Sequence, residues 1–445
     1  MRLPFGGAGA CKAVTLWPFG SRGPSAGKKD ATKSKRILIM MSNTGGGHRA
    51  SAEAIKEAMQ AKYGTSYEVL IEDMWKDHCP PPWNKIPDSY SFLVKHGMLW
   101  RASYMLMQPK WFHVPYLRAM HAAVARSLNK ALADINPDLV VSVHPLMQHV
   151  PLRILKARIK SGASHPINFA TVVTDFTTCH NTWFHPDATR CFVPTDFCKG
   201  LALNNGLQDE QILMHGLPIR PAFSRGLPSK KSLKRQLGLI PTTTPAVLLV
   251  GGGEGMGKLE ETVDEMAAQL GEGCQAVVIC GRNKQLLERL RSKKYASGMQ
   301  VHALGFVDNM HEYMHAVDCV VTKAGPGTIA EALISGLPIL LNGNIPCQEE
   351  GNIPYVVDNG AGAFETQPPL IAKTLARWLA PENRAEFEAM AARSKALGKP
   401  QGVFDIAEDL AHMAHVPDFK YGPAASAVEA GIVPRQRMHA AAAHT

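Results

Sequence analysis

Short apolar runs recur along the chain, each followed by a polar or glycine-rich break and then by apolar positions at helical spacing. The first, Lys35–Met41, reads as a strand; Ser42-Asn-Thr-Gly-Gly-Gly-His48 breaks it, and Ala50, Ala54, Ile55, Ala58 and Met59 then mark one face of a helix. Strands are expected again at 67–71, 139–143 and 169–174, with helices between them. From Pro218-Ile-Arg-Pro221 to Pro245 the chain turns rich in Pro, Lys, Ser and Thr, which predicts a connection carrying one basic helix near 231–237. The pattern then starts over: strand Ala246–Val250, a second glycine loop at 251–257, a helix at 259–270, and strands at 276–280, 301–304, 319–321 and 338–341. This repetition predicts an α/β protein of two doubly wound, Rossmann-like domains facing one another across a cleft, the first over 34–222 and the second over 223–416.

The break after the 319–321 strand, Lys323-Ala-Gly-Pro-Gly-Thr-Ile-Ala-Glu331, has the composition of a phosphate loop. A short helix is expected at 328–335, whose first amides have no intrahelical partner, and Gly325 and Gly327 let a ligand approach the backbone closely. A diphosphate suits that position, and Glu331, one turn into the helix, suits the two hydroxyls of a ribose. Together they imply a nucleotide-sugar site. Gly45-x-Gly47-x-x-Ala50 also fits the dinucleotide fingerprint, with Glu72 or Asp73 as the ribose-binding acid, but the 27 residues from Gly45 to Glu72 exceed the usual ~20. A nicotinamide cofactor would leave the second glycine loop and the 325–331 loop without a task, so an NAD(P)-linked oxidoreductase is a distant alternative.

Composition narrows this further. A chain of 445 residues, 45% hydrophobic and 19% charged, can bury two ordinary cores, and no apolar run reaches the roughly 18 residues needed to cross a bilayer. Its nine cysteines form no Cys-x-x-Cys pair and read as free thiols in a reducing compartment. The net charge of +10 is uneven: between Ser89 and Thr174 there are ten Lys or Arg against Asp134 and Asp138, and 89–133 has no acid at all. That acid-free stretch is rich in Trp, Phe, Tyr, Leu and Met, as an interfacial membrane-binding segment would be; the competing expectation is that these aromatics are core. No nucleic-acid module is recognisable. Residues 1–33 are basic, with no acid before Asp30, and resemble an organelle transit peptide; 417–445 read as a disordered tail.

The blocks Ser42 to Ile55, Ser142-Val-His-Pro-Leu-Met-Gln-His149, Cys179-His-Asn-Thr-Trp-Phe-His185, 251–257, Cys280-Gly-Arg-Asn283, 323–331 and 348–360 together resemble the monogalactosyldiacylglycerol synthases. The resemblance implies a GT-B fold and inverting transfer of galactose from UDP-galactose to 1,2-diacylglycerol. It also implies stimulation by anionic lipids such as phosphatidate or phosphatidylglycerol and monotopic, peripheral binding to the plastid envelope. It implies no nucleic-acid partner and allows a homodimer. A UDP-glucose-dependent diacylglycerol glucosyltransferase is the alternative, and an inactive lipid- or nucleotide-binding homologue a more distant one.

Carried onto this chain, the resemblance nominates His48 as the base, with Asp175 orienting it or acting as the base itself. Donor contacts are expected from Gly252, Gly253, Arg282, Phe306, Val307, Lys323, Gly325, Pro326, Gly327, Thr328, Glu331, Gln348, Glu349 and Asn352. Acceptor and lipid contacts are expected from Gly46, Gly47, Pro82, Trp83, Trp100, His144, Trp183 and His185. The chain contains no Asp-x-Asp, so leaving-group stabilisation is expected from backbone amides, with no metal or other cofactor. Cys347 stands where the family commonly has glycine, which bears on donor-sugar preference.

Overall fold

The computed structural model describes residues 34–44, 46–241, 244–253, 255 and 257–416. The transit-like segment, the C-terminal tail, Gly45 of the dinucleotide fingerprint, and Glu254 and Met256 of the second glycine loop lie outside the described residues.

Every expected strand forms, and all the pairings are parallel. The first sheet holds β1 (Lys35–Met41), β2 (Tyr67–Asp73), β3 (Leu139–Ser142), β4 (Asn168–Val172), β5 (Arg190–Val193) and β6 (Ile212–Met214). The second holds β7 (Ala246–Val250), β8 (Gln275–Ile279), β9 (Gln300–Leu304), β10 (Cys319–Thr322), β11 (Ile339–Leu341) and β12 (Gly362–Phe364). Central strands such as β7 and β8 are buried at every residue, which is why they are apolar runs rather than alternating ones. β5, β6 and β12 were not anticipated: three or four residues are too few to show a period.

Strand order places the site. The sheets run β2-β1-β3-β4-β5-β6 and β12-β11-β10-β7-β8-β9, so the winding reverses between β1 and β3 in one and between β7 and β10 in the other. Crevices open at such switch points, beyond the carboxyl ends of the strands. The glycine loops after β1 and β7 and the 323–328 loop after β10 all lie there.

Three boundaries differ from expectation. The first helix is Gly46–Tyr63, so His48 sits in its first turn and not at the end of a free loop. The helix of the expected phosphate loop is Pro326–Ser335, two residues earlier than expected, because proline is preorganised for the first helical position and has no amide to leave unpaired there. The helix Gly402–His415, expected to complete the second domain, packs against the first sheet: Val403, Ile406, Leu410 and Met413 share a core with Ile37, Ile39, Val141 and Val172. Asn168 of β4 secures it by donating to the carbonyls of Met413 at 2.8 Å and Val416 at 2.7 Å.

Candidate active site

The first switch point gathers two imidazole and hydroxyl pairs whose rings meet edge to face. Thr44 Oγ1 lies 2.9 Å from His144 Nε2, the His48 and His144 ring centres are 4.6 Å apart, and His48 Nδ1 lies 2.8 Å from Thr174 Oγ1. Thr174 in turn donates to the Val143 carbonyl at 3.5 Å, so its oxygen accepts from His48 Nδ1–H and leaves the Nε2 lone pair free. Burial lowers the His48 pKa to about 4 and holds His144 well below the ordinary value, so both rings are neutral near pH 7.

Asp175 follows directly after Thr174, beyond β4. Its Oδ2 accepts from the Trp183 indole N–H at 2.6 Å and its Oδ1 from the Gln348 amide at 3.3 Å, while Tyr90 donates to the carbonyl of that amide at 3.1 Å. Burial raises the Asp175 pKa to about 6, against the lowering effect of the Trp183 and Gln348 bonds. Among the described residues it is Thr174 and the Val143 carbonyl, not Asp175, that bond to the His48 ring.

A cavity of about 250 Å3 connects these groups: His48, His144, Asp175 and Gln348 line its polar part, and Ile86, Leu93, Trp100, Met107 and Tyr116 its apolar walls. The walls come from the helices Ile86–Lys95, Gly97–Met107 and Lys110–Ile135 of the acid-free stretch. Outside, seven of the fifteen exposed large apolar side chains among the described residues fall between Phe92 and Tyr116, including Met98 at 88% and Trp111 at 75% exposure. That density separates the two expectations for the stretch: Tyr104 and Leu117 are core, whereas an apolar patch faces outward.

The second switch point presents a different chemistry. Gly325 caps the helix Pro326–Ser335 without a side-chain bond, and the Ile329 amide already bonds to Gly325, so the amides of Gly327 and Thr328 are its open donors. A side chain at Gly327 would meet no atom within 4 Å, as would one at Gly46 or Gly47 across the cleft. Lys323 pairs with Glu349, and its Cε would lie 3.6 Å from a Cβ on Gly252. The Arg282 guanidinium stands 5.9 Å from the exposed Phe306 ring, and its Nη1 would lie 3.9 Å from a Cβ on Gly253. Gly281, at φ +57°, lets the turns after β7 and β8 meet, since a Cβ there would lie 2.4 Å from the Gly253 carbonyl.

Several expected contacts are engaged otherwise. Trp183 is wholly buried with Val173, Phe184 and Cys191 and does not line the cavity; its bulk belongs to the core and its one donor holds Asp175. His185 meets His149 edge to face, ring centres 4.7 Å apart, and lies 3.7 Å from Asp187, outside the cavity. Trp83 packs partly into the core beside Pro82, which is exposed. Glu349, expected at the sugar hydroxyls, gives one oxygen to Lys323 and accepts from the Ile345 amide at 2.8 Å with the other. Asn352 bridges the halves: Thr177 lies 2.6 Å from its Oδ1, and its Nδ2 donates to the Ala324 carbonyl at 2.8 Å. Val307 packs on the second core, and Cys347 holds φ +64°, a conformation that explains a family glycine at that place.

Asp73 accepts from the Asn43 and Lys76 amides and Glu72 bonds to His78, so both acids of the dinucleotide expectation are taken up locally. Sequence reasoning missed Thr174, Tyr90 and Arg220. The first follows a strand end next to a nominated acid, which was a usable signal; the second was read only as an aromatic, and the third only as part of a connection.

Residues 48–219 match the family described as monogalactosyldiacylglycerol (MGDG) synthase, and 246–402 the glycosyltransferase family 28 C-terminal domain. The chain is 47% identical over 398 residues to monogalactosyldiacylglycerol synthase 1, chloroplastic, of Arabidopsis thaliana, covering 88% of this chain and 73% of that one. It is 48% identical over 382 residues to the Spinacia oleracea enzyme, covering 84% and 72%. Among solved structures it resembles Acinetobacter baumannii MurG, with a TM-score of 0.54 at 14% identity over 85% of this chain and 99% of that one. Two parallel sheets with facing switch points, one lined by open helix amides, define a GT-B glycosyltransferase. The chain belongs to the monogalactosyldiacylglycerol synthase family.

Proposed function

We propose that the chain transfers galactose from UDP-galactose to the free hydroxyl of 1,2-diacylglycerol with inversion, working peripherally on the plastid envelope. The observation that carries this is a single cavity whose polar end holds His48 and Asp175 and whose apolar walls adjoin an exposed apolar patch. A diacylglycerol fits both ends at once, its hydroxyl inward and its acyl chains toward the bilayer. Exposed Arg101, Lys110 and Arg118, with Arg126 and Lys130 further along the same helix as Arg118, suit anionic headgroups, which supports stimulation by phosphatidate or phosphatidylglycerol. No helix among the described residues is long and apolar enough to cross a membrane.

In this mechanism the acceptor oxygen attacks the anomeric carbon while its proton passes to His48 Nε2, and ionised Asp175 offsets the charge gained by the ring. The bond from the anomeric carbon to the β-phosphate oxygen breaks, and the amides of Gly327 and Thr328 receive the charge that departs with UDP. Those donors support a reaction that needs no metal. The test is transfer from labelled UDP-galactose, with UDP-glucose in parallel, to diacylglycerol in vesicles with and without phosphatidate, all in EDTA. A galactolipid formed under chelation and increased by phosphatidate is the expected result; glucolipid alone would move the donor to UDP-glucose, and no product from either sugar would remove the enzymatic proposal.

A further inference from the structure

The connection between the two sheets carries a charged residue that the reaction described above leaves unused. Arg220 lies immediately before the short 3-10 turn Pro221–Ser224, and its guanidinium makes three contacts. Nη2 stands 3.5 Å from Glu331 Oε1, Nη1 donates to the Asp308 carbonyl at 3.0 Å, and Cζ lies 5.7 Å from the centre of the Phe223 ring. Glu331 is one turn behind the open amides of Gly327 and Thr328, and Asp308 belongs to the turn after β9 that also carries Phe306 and Val307. One side chain, braced on a buried phenylalanine, therefore spans two segments expected to line the nucleoside pocket.

We propose that Arg220 is a positioning residue for the nucleotide, holding the Glu331 carboxylate toward the ribose hydroxyls and tying it to the turn beside the base. The proposal rests on the ribose role given to Glu331. A carboxylate accepts from both hydroxyls of a ribose only when ionised. Burial pushes the Glu331 pKa up to about 7, and Arg220 opposes that rise. The helices packed against the Glu331 helix also carry His311, Glu312, His315, Arg384, Glu386, Glu388, Arg393 and Lys395, but the charge that acts on Glu331 is that of Arg220. The raised value means that the ionised form is lost as pH falls through about 7. Without Arg220 that point moves higher, and neutral pH then falls on the protonated side.

The experiment measures affinity for UDP and for 2′,3′-dideoxy-UDP by calorimetry on the full chain between about pH 6 and 9, for the wild type, Glu331→Gln, Arg220→Gln and Arg220→Lys. The wild type should prefer UDP by about tenfold at the alkaline end, as expected for hydrogen bonds to a charged group, and lose that preference toward the acid end. Arg220→Gln should have a preference at least about fivefold smaller at neutral pH and regain it at the alkaline end, with Arg220→Lys between the two. Glu331→Gln should show no preference at any pH. A wild type indifferent to the ribose hydroxyls would remove the role of Glu331. A preference lost in Glu331→Gln but unchanged in both Arg220 variants at every pH would overturn the role of Arg220 and leave that of Glu331 standing.

Discussion

At the scale of single residues, burial inverts the ordinary order of proton affinity, lowering the pKa of His48 to about 4 and raising that of Asp175 to about 6. His48 is neutral because it is desolvated, and its tautomer is set by a threonine that itself donates onward. His48→Ala should lower kcat by about 10²- to 10⁴-fold, the usual contribution of a general base, while UDP affinity measured by calorimetry stays unchanged. In the proposed mechanism Asp175 supplies the pH dependence. Its pKa is raised to about 6, so its charge is present above that value, and activity should fall as pH drops through it. Trp183→Phe removes the 2.6 Å bond that favours the ionised carboxylate, so the acid limb of the pH–rate profile should move upward and activity at neutral pH should fall. An unmoved limb would take that control away from Asp175. Thr174→Val should lower kcat with little change in the KM for donor, because it removes the partner of His48 Nδ1 without touching the 323–328 loop.

At the scale of elements, the helices of the acid-free stretch do two jobs. Their inner faces wall the cavity, and through Tyr90 and Trp100 they hold the loop after β11: Tyr90 bonds to Gln348, and the Trp100 indole donates to the Pro346 carbonyl at 3.0 Å. Their outer faces carry Met98, Leu99, Leu106 and Trp111. Burying a large apolar side chain is worth about 1.5–3 kcal/mol, so Met98→Glu with Trp111→Glu should weaken sedimentation with anionic vesicles at least about tenfold. Transfer to a short-chain acceptor in solution should be preserved; loss of both together would assign those side chains to folding instead. The acid-free composition was legible in the sequence, whereas the partition of its aromatics was not. Tyr104, Leu117, Met98 and Trp111 are alike as letters, and only the packing of the three helices on the first sheet separates them.

At the scale of the whole molecule, the last helix returns to the first sheet, and Asn352 joins the 177–178 turn to the loop after β10. Leu410→Ala should cost about 2–5 kcal/mol of stability, seen as a lower melting temperature, even though the residue is far in sequence from the sheet it covers. By itself the sequence determined the parallel strands, the two glycine loops and the presence of a helix after β10, though not its first residue. Each is encoded locally: an apolar run must be buried on both faces, glycine permits close backbone approach, and proline suits the first turn of a helix. Tertiary structure alone decided that Thr174 rather than Asp175 holds His48, that Trp183 is core, that Arg220 reaches Glu331, and that the helix Gly402–His415 covers the first sheet. These are contacts between residues tens to hundreds of positions apart or choices among chemically equivalent partners. No local spacing encodes them, because the chain's path through both sheets is what brings the partners within reach.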